Sequence, residues 1–260
     1  MLDAVKQARR EDFTVFPSIQ VAGGKVVHLV KDGQIAELVR TDPVEVALAF
    51  QEQGASWLHL VMTEEGGGFD VATARRVIGA VDIKVQLMCR AGIVDNDSLA
   101  RALDTGCTRL NLGRGALADL RWCATAIARH GARLGVSLPV RCTPRSWRVA
   151  GLGSGADSGD LMDVLSVLDR AGCARYLITD VSREGAQSGP NLALFQEVCA
   201  RTPAAVLAAG GVTTLQDLQA VMALAPRGIE GVVIGRALYT NVLTLPRALA
   251  ATKHRPETPL

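Results

Sequence analysis

Eight short β-rich runs are spaced along the 260-residue chain, and an amphipathic helical segment follows each one. The runs are TVFPSIQV (14–21), WLHLVM (57–62), IKVQLM (83–88), TRLNL (108–112), RLGVSLPV (133–140), ARYLIT (174–179), AAVLAA (204–209) and EGVVIG (230–235). Helical periodicity predicts helices over 42–54, 70–81, 95–106, 117–131, 158–172, 191–202 and 214–225, with a short last one near 243–252. Asp42, Asp95, Ser158, Asn191 and Thr213 are placed to cap helix starts, and Gly54, Gly106, Gly131 and Gly172 to close helix ends. Strict β-α alternation means a parallel sheet, and eight units in about 250 residues is what a (β/α)8 barrel takes. An open doubly wound sheet is the competing α/β fold. It is disfavoured because no GxGxxG follows the first run.

An internal repeat separates the two folds further. AGIVDNDSLARAL…TRLNLGRGAL (91–117) parallels GGVTTLQDLQAVM…EGVVIGRAL (210–238). Each copy runs from a small-Gly-aliphatic start through a capped helix (Leu99 or Leu218) to a strand ending in Gly-Arg. Strands three and four thus mirror strands seven and eight. A barrel of two half-barrels produces that pattern, and an open sheet does not. The expectation is one single-domain (β/α)8 TIM barrel over 1–260, with 1–12 as an N-terminal extension.

Composition narrows the function. The chain is 48% hydrophobic with 28 basic and 26 acidic residues, net +2, and no basic stripe. That argues against a nucleic-acid partner. Its six cysteines are scattered without a CxxC pair, and its four histidines lack metal-ligand spacing. A reduced cytoplasmic protein with small buried thiols is expected rather than a disulfide or zinc scaffold. The polar opening MLDAVKQARRED does not read as a signal peptide, and no apolar run is long enough to span a membrane.

The glycines mark candidate anion sites. Gly210-Gly211 follows strand seven and Gly235-Arg236 follows strand eight, the two loops that usually bind phosphate in such barrels. Backbone N–H groups approach an anion closely only where no Cβ intervenes. A lone glycine here more often makes a tight turn, and the pairing of the two loops favours phosphate. Gly92 with Gly113-Arg114 forms the mirrored pair, weakened by Ala91. Two phosphate sites across one mouth imply a long substrate with a phosphate at each end. Asp180 ends strand six, beside Thr179, and is expected to point into the mouth. The loop after it, with Gly185 and Gly189, is built to close over a ligand. The structural alternative is an Asp that caps its own loop.

TDVSREGAQSGPN (179–191), AAGGVTTLQDL (208–218) and GIEGVVIGRALYTNVLTLPRALAA (228–251) resemble the phosphoribosyl isomerases of histidine biosynthesis, above all the dual-substrate version that also serves tryptophan biosynthesis. RAGCARYLITD and DTGCTRLNLG fit as well, and the resemblance runs from FPSIQVAGGKVV to the last helix. The cyclase subunit of the same pathway shares the half-barrel repeat, but its loops fit less well. The resemblance implies an Amadori rearrangement of a phosphoribosylamine. An acid opens the ribose to a Schiff base, and a base on the opposite face removes the C2 proton. No metal or organic cofactor is implied. In the family both groups are aspartates, at the ends of strands six and one. Asp180 matches the first.

The second position holds Gln20, and an amide cannot take a proton at neutral pH. His28 replaces a family Arg, Met62 takes an acidic position, and Pro139 replaces an Asp at the end of strand five. The Arg-x-Trp of loop five is either Arg145-Ser146-Trp147 or, without a gap, falls on Leu152 and Ser154. Glu64, Glu65 and His28 (a residue type whose ordinary pKa lies near neutrality) are the other candidate bases, although a solvated loop accounts for the glutamates. The changes cluster on the catalytic face, as in a paralogue with changed or lost activity. Three functions follow: an aldose-ketose isomerase of a phosphoribosylated aminoimidazole or anthranilate-like substrate, a barrel that binds a sugar phosphate without isomerising it, and a barrel with a different reaction in specialised metabolism; a monomer is expected.

Overall fold

The computed structural model describes residues 13–29, 35–38, 41–63, 69–144, 146–151, 157–183 and 188–253, with 28, 29 and 35–38 described by their backbone alone. The strands are β1 (Thr14–Ala22), β2 (Lys25–Leu29), β3 (Ile35–Leu38), β4 (Trp57–Met62), β5 (Lys84–Cys89), β6 (Arg109–Leu112), β7 (Leu134–Cys142), β8 (Trp147–Ala150), β9 (Asp157–Asp160), β10 (Arg175–Asp180), β11 (Ala205–Ala209) and β12 (Ile229–Ile234). Eight of them, β1, β4, β5, β6, β7, β10, β11 and β12, pair in parallel, and β12 returns to β1. The ring is a closed (β/α)8 barrel, as the alternation requires.

The helices are α1 (Pro43–Glu52), α2 (Val71–Ala80), α3 (Asn96–Leu103), α4 (Arg114–Leu117), α5 (Leu120–His130), α6 (Leu161–Arg170), α7 (Leu192–Arg201), α8 (Leu215–Met222), α9 (Arg236–Tyr239) and α10 (Leu245–Lys253). Asp42, Asp95 and Asn191 cap α1, α3 and α7 through their side chains. Two expected caps shift. Ser158 is drawn into β9, which pairs with β8, so Asp160 caps α6 instead. Thr213 donates from its hydroxyl to the Gly211 carbonyl, and Thr214 forms the capping box with Asp217.

Alternation along each strand sorts the side chains into two sets. One set, with Ile19, Leu58, Leu60, Leu87, Tyr176 and Ile178, packs outward in the main core beneath the helices. The other set faces the barrel axis, where Phe16, Leu177, Leu207 and Ala209 pack with Trp57, Met88 and Val233. The axis also holds an ion cluster near its floor. The register of β11 on β12 skips Glu230, a bulge that frees this carboxylate. It accepts hydrogen bonds from Arg109 Nη1 at 3.2 Å and Arg175 Nε at 3.1 Å. The Arg109 guanidinium also lies over the Trp57 and Phe16 rings, 4.3 and 5.2 Å from their centroids.

Two of the loops hold strands that no periodicity in the sequence marks. β2 pairs antiparallel with β1 and with β3, and β8 pairs antiparallel with β7 and with β9. Both excursions extend the first strand of a half-barrel beyond its C-terminal end. They therefore repeat across the two-fold relationship that the sequence repeat implies.

Candidate functional site

Two cavities open at the C-terminal mouth. The larger, about 120 Å³, is lined by Gln20, Thr179, Gly210, Gly211, Gly235 and Arg236, with Ser18 lower on β1 and His59 on β4. The smaller, about 40 Å³, is lined by Gly113, Arg114, Ser137 and Pro139. Met88, Arg90 and Thr179 line both, so the cavities meet across the mouth. The glycine loops of the second half-barrel converge on the larger cavity. From the first half, Gly113-Arg114 reaches the smaller cavity, and Gly92 lines neither.

Thr179 and Asp180 part company. Leu177 and Thr179 share the inward parity of β10 and line the larger cavity. Asp180 shares the outward parity of Tyr176 and Ile178 and is 2% exposed. Its Oδ1 accepts from the Ser182 amide at 2.9 Å and the Ser182 hydroxyl at 2.6 Å, and its Oδ2 accepts from Asn191 Nδ2 at 2.6 Å. The Arg183 Nε stands 3.7 Å away. The expectation that Asp180 points into the mouth is corrected by this geometry. Its carboxylate ties the start of the β10–α7 loop to the cap of α7, and it lines neither cavity.

The glycines of the two second-half loops differ in what lies opposite them. Gly211 has φ +85°, and a Cβ there would lie 2.1 Å from the Gly189 carbonyl oxygen. Gly211 thus permits the close approach of two loops, with the Gly189 carbonyl opposite it. Gly235 is open by contrast, because a Cβ there would meet nothing nearer than Ser18 Cβ at 3.9 Å.

The repeat relates the two positions where carboxylates were expected. Gln20 pairs with Val61 on the next strand, and Pro139 pairs with Thr179 in the corresponding place of the other half. Neither carries an ionisable group. Among the described residues lining the two cavities there is no carboxylate, whereas Arg90, Arg114 and Arg236 are cations. The mouth is therefore an anion-accepting surface.

His59 was not singled out from the sequence. It is 2% exposed, and burial, with Arg109 nearby, lowers its pKa to about 3, so the ring is neutral. Gln86 Nε2 lies 2.9 Å from His59 Nδ1. Donation by that amide leaves the proton on Nε2, a neutral donor at the cavity wall. Strand parity carried the signal, since His59 stands two residues before the inward-facing Val61.

Trp147 lies in β8 opposite Cys142 and packs against the outer core, away from both cavities. Glu64, Glu65, Gly185, Arg145, Leu152 and Ser154 lie outside the described residues, and His28 is described by its backbone alone. Met62 is buried in the outer core.

Fold and mouth together define a two-fold (β/α)8 barrel with cation-lined paired cavities. Residues 14–244 match the histidine biosynthesis protein family, and the chain belongs to it. It is 47% identical over 241 residues to a 1-(5-phosphoribosyl)-5-((5-phosphoribosylamino)methylideneamino)imidazole-4-carboxamide isomerase of Nocardia farcinica, covering 92% of this chain and 98% of that protein. It is 46% identical over 239 residues to phosphoribosyl isomerase A of Streptomyces avermitilis, covering 91% of this chain and 96% of that protein. Phosphoribosyl isomerase A of Mycolicibacterium paratuberculosis is 44% identical over 239 residues, covering 91% and 98%. Among the described residues, no helix is long and apolar enough to cross a membrane.

Proposed function

We propose that this chain is a phosphoribosyl isomerase acting on an aminoimidazole carboxamide ribonucleotide with a phosphate at each end, by the Amadori route. The observation that carries this reading is the joined pair of cavities. Arg236 with Gly210, Gly211 and Gly235 lines one, Arg114 with Gly113 lines the other, and Thr179 lies where they meet. Phosphates at the two ends would hold the ribose at Thr179. There its hydroxyl and the Nε2–H of His59 can donate to oxygens of the opening sugar. Asp180 supports that arrangement by holding the loop, in place of the acid role read from the sequence. A smaller anthranilate-type substrate, with tryptophan biosynthesis as the pathway, and a monomeric, cytoplasmic single barrel belong to the same proposal.

A specific observation favours a second reading, in which the barrel binds the ligand without turnover. Gln20 and Pro139 occupy both carboxylate positions that the resemblance expects, and an isomerase needs a group to take the C2 proton. One experiment separates the two. Purified protein is incubated with the aminoimidazole carboxamide ribonucleotide while ketose formation and substrate binding are both followed, alongside Gln20→Asp. Turnover by the natural protein establishes the isomerase. Saturable binding without turnover, with activity gained in Gln20→Asp, establishes a barrel that kept its anchors and lost its base. Absence of binding would refute both.

A further inference from the structure

The two half-barrels differ in one loop, and the difference places a charge. Gly92 precedes the first residue of α3 by the same interval as Gly211 precedes that of α8, and both helices open on a capping box. The strands give a different count. Met88 pairs with Asn111, two residues before Gly113, and Ala209 pairs with Val233, two residues before Gly235. Met88 and Ala209 are therefore equivalent. One residue separates Ala209 from Gly211, whereas Cys89, Arg90 and Ala91 separate Met88 from Gly92. The first-half loop is two residues longer.

The added length changes what the loop offers an anion. A Cβ on Gly113 would lie 2.7 Å from the carbonyl oxygens of both Cys89 and Arg90. At the equivalent Gly235 that side is open. Carbonyl oxygens repel an anion, so the longer loop spoils the backbone cradle of the first half. It also introduces Arg90, which lines both cavities. We propose that Arg90 replaces the lost backbone cradle and reads the second anionic group of a two-anion ligand in the smaller cavity. A guanidinium suits that task, because it carries a permanent charge and can grip a phosphate or carboxylate with two parallel hydrogen bonds. Arg90 is thus a specificity-determining residue for the length and charge of the ligand. The inference rests on the functional reading above in taking the ligand to be anionic at both ends.

Calorimetric binding tests it with two probes, the bisphosphorylated aminoimidazole carboxamide ribonucleotide and ribose 5-phosphate. The proteins are the natural chain, Arg90→Ala, Arg90→Lys and Arg236→Ala, each checked for an unchanged unfolding temperature. Arg90→Ala is expected to weaken the bisphosphorylated probe by roughly tenfold to a hundredfold. It should leave ribose 5-phosphate within about twofold, and Arg90→Lys should recover part of the loss. Arg236→Ala should weaken both probes. Equal binding of the bisphosphorylated probe by Arg90→Ala and the natural chain overturns the role of Arg90 alone. Equal weakening of both probes by Arg90→Ala assigns Arg90 to the larger cavity and also overturns it. A natural chain that binds neither probe overturns the functional reading, and this inference falls with it.

Discussion

Replacing Asp180 by Asn separates a structural carboxylate from a catalytic one. Asp180 accepts two hydrogen bonds from Ser182 on one oxygen and one from Asn191 on the other. An asparagine keeps one acceptor. Turned toward Ser182, it presents its NH2 to the Asn191 NH2, donor against donor. Asn191 cannot reverse its amide without cost, because its Oδ1 accepts from the Leu194 amide at 3.1 Å and so caps α7. A hydrogen bond to a charged group contributes roughly 1.5–3 kcal/mol, and a lost cap costs about 1 kcal/mol. The two responses destabilise the protein by roughly 1–3 kcal/mol, a fall of about 2–10 °C in unfolding temperature for a domain of this size. Calorimetric melting, with proteolysis of the β10–α7 loop, measures it. Ligand binding should weaken with the loosened loop. An unchanged melting temperature with turnover abolished would refute the argument and return Asp180 to the role of proton donor.

Three further outcomes follow from the interior. The His59 pKa is lowered from 6.5 to about 3, so below pH 6.5 the unfolded chain binds a proton that the folded chain refuses. Its contribution to stability therefore falls as pH drops from 6.5 toward 3, by roughly 2–3 kcal/mol at pH 4.5. Urea midpoints at pH 7, 5.5 and 4.5 should show that slope in the natural chain and a flatter one in His59→Gln. Glu230→Gln leaves Arg109, with its side chain 6% exposed, beside Arg175 without a counter-charge. The cost should be roughly 3 kcal/mol by thermal melting, and an unchanged melting temperature would mean the cluster is solvated. Cys142 is exposed, whereas burial raises the Cys123 thiol to about 12 and the Cys173 thiol to about 11. A thiol reagent should label Cys142 rapidly in the native protein and the two buried thiols only on unfolding.

The barrel was legible in the sequence because it rests on repeated, redundant signals. Eight apolar runs, capped helices and two copies of a Gly-Arg ending all point to one closed sheet, and each of the eight runs overlaps a barrel strand. The added strands β2, β3, β8 and β9 were not legible. Each is at most five residues long, and KVVHL or DSGD has no second face to reveal by alternation. Their pairing is set by the strand they extend. The loops that line the larger cavity were legible as glycine pairs, but the sequence did not distinguish a glycine with open space opposite it, such as Gly235, from one that admits another loop, such as Gly211. That distinction depends on which backbone lies opposite, a tertiary fact.

A single residue of register decides where the Asp180 carboxylate lies. Thr179 and Asp180 are adjacent, and in a strand adjacent side chains face opposite ways. Inward-facing Leu177 and outward-facing Ile178 flank the same choice, yet both are apolar, so hydrophobicity does not reveal which parity reaches the axis. In a parallel barrel both faces are buried, one by helices and one by the opposite wall. What does reveal it is the floor. His59, Gln86 and Asn111 are polar, buried, and opposed to inward neighbours on successive strands. Polar residues at alternate positions within otherwise apolar strands mark the axis, because polar groups gain little from packing beneath a helix. Carried around the ring by the pairing of Gln20 with Val61, Val61 with Met88, and Pro139 with Thr179, that parity brings Gln20, Met88, Pro139 and Thr179 to the mouth and turns Asp180 away. If the chain is an isomerase, its proton-transfer group is therefore to be sought among groups that reach the space above Thr179, and an assay of Gln20→Asp addresses that space directly.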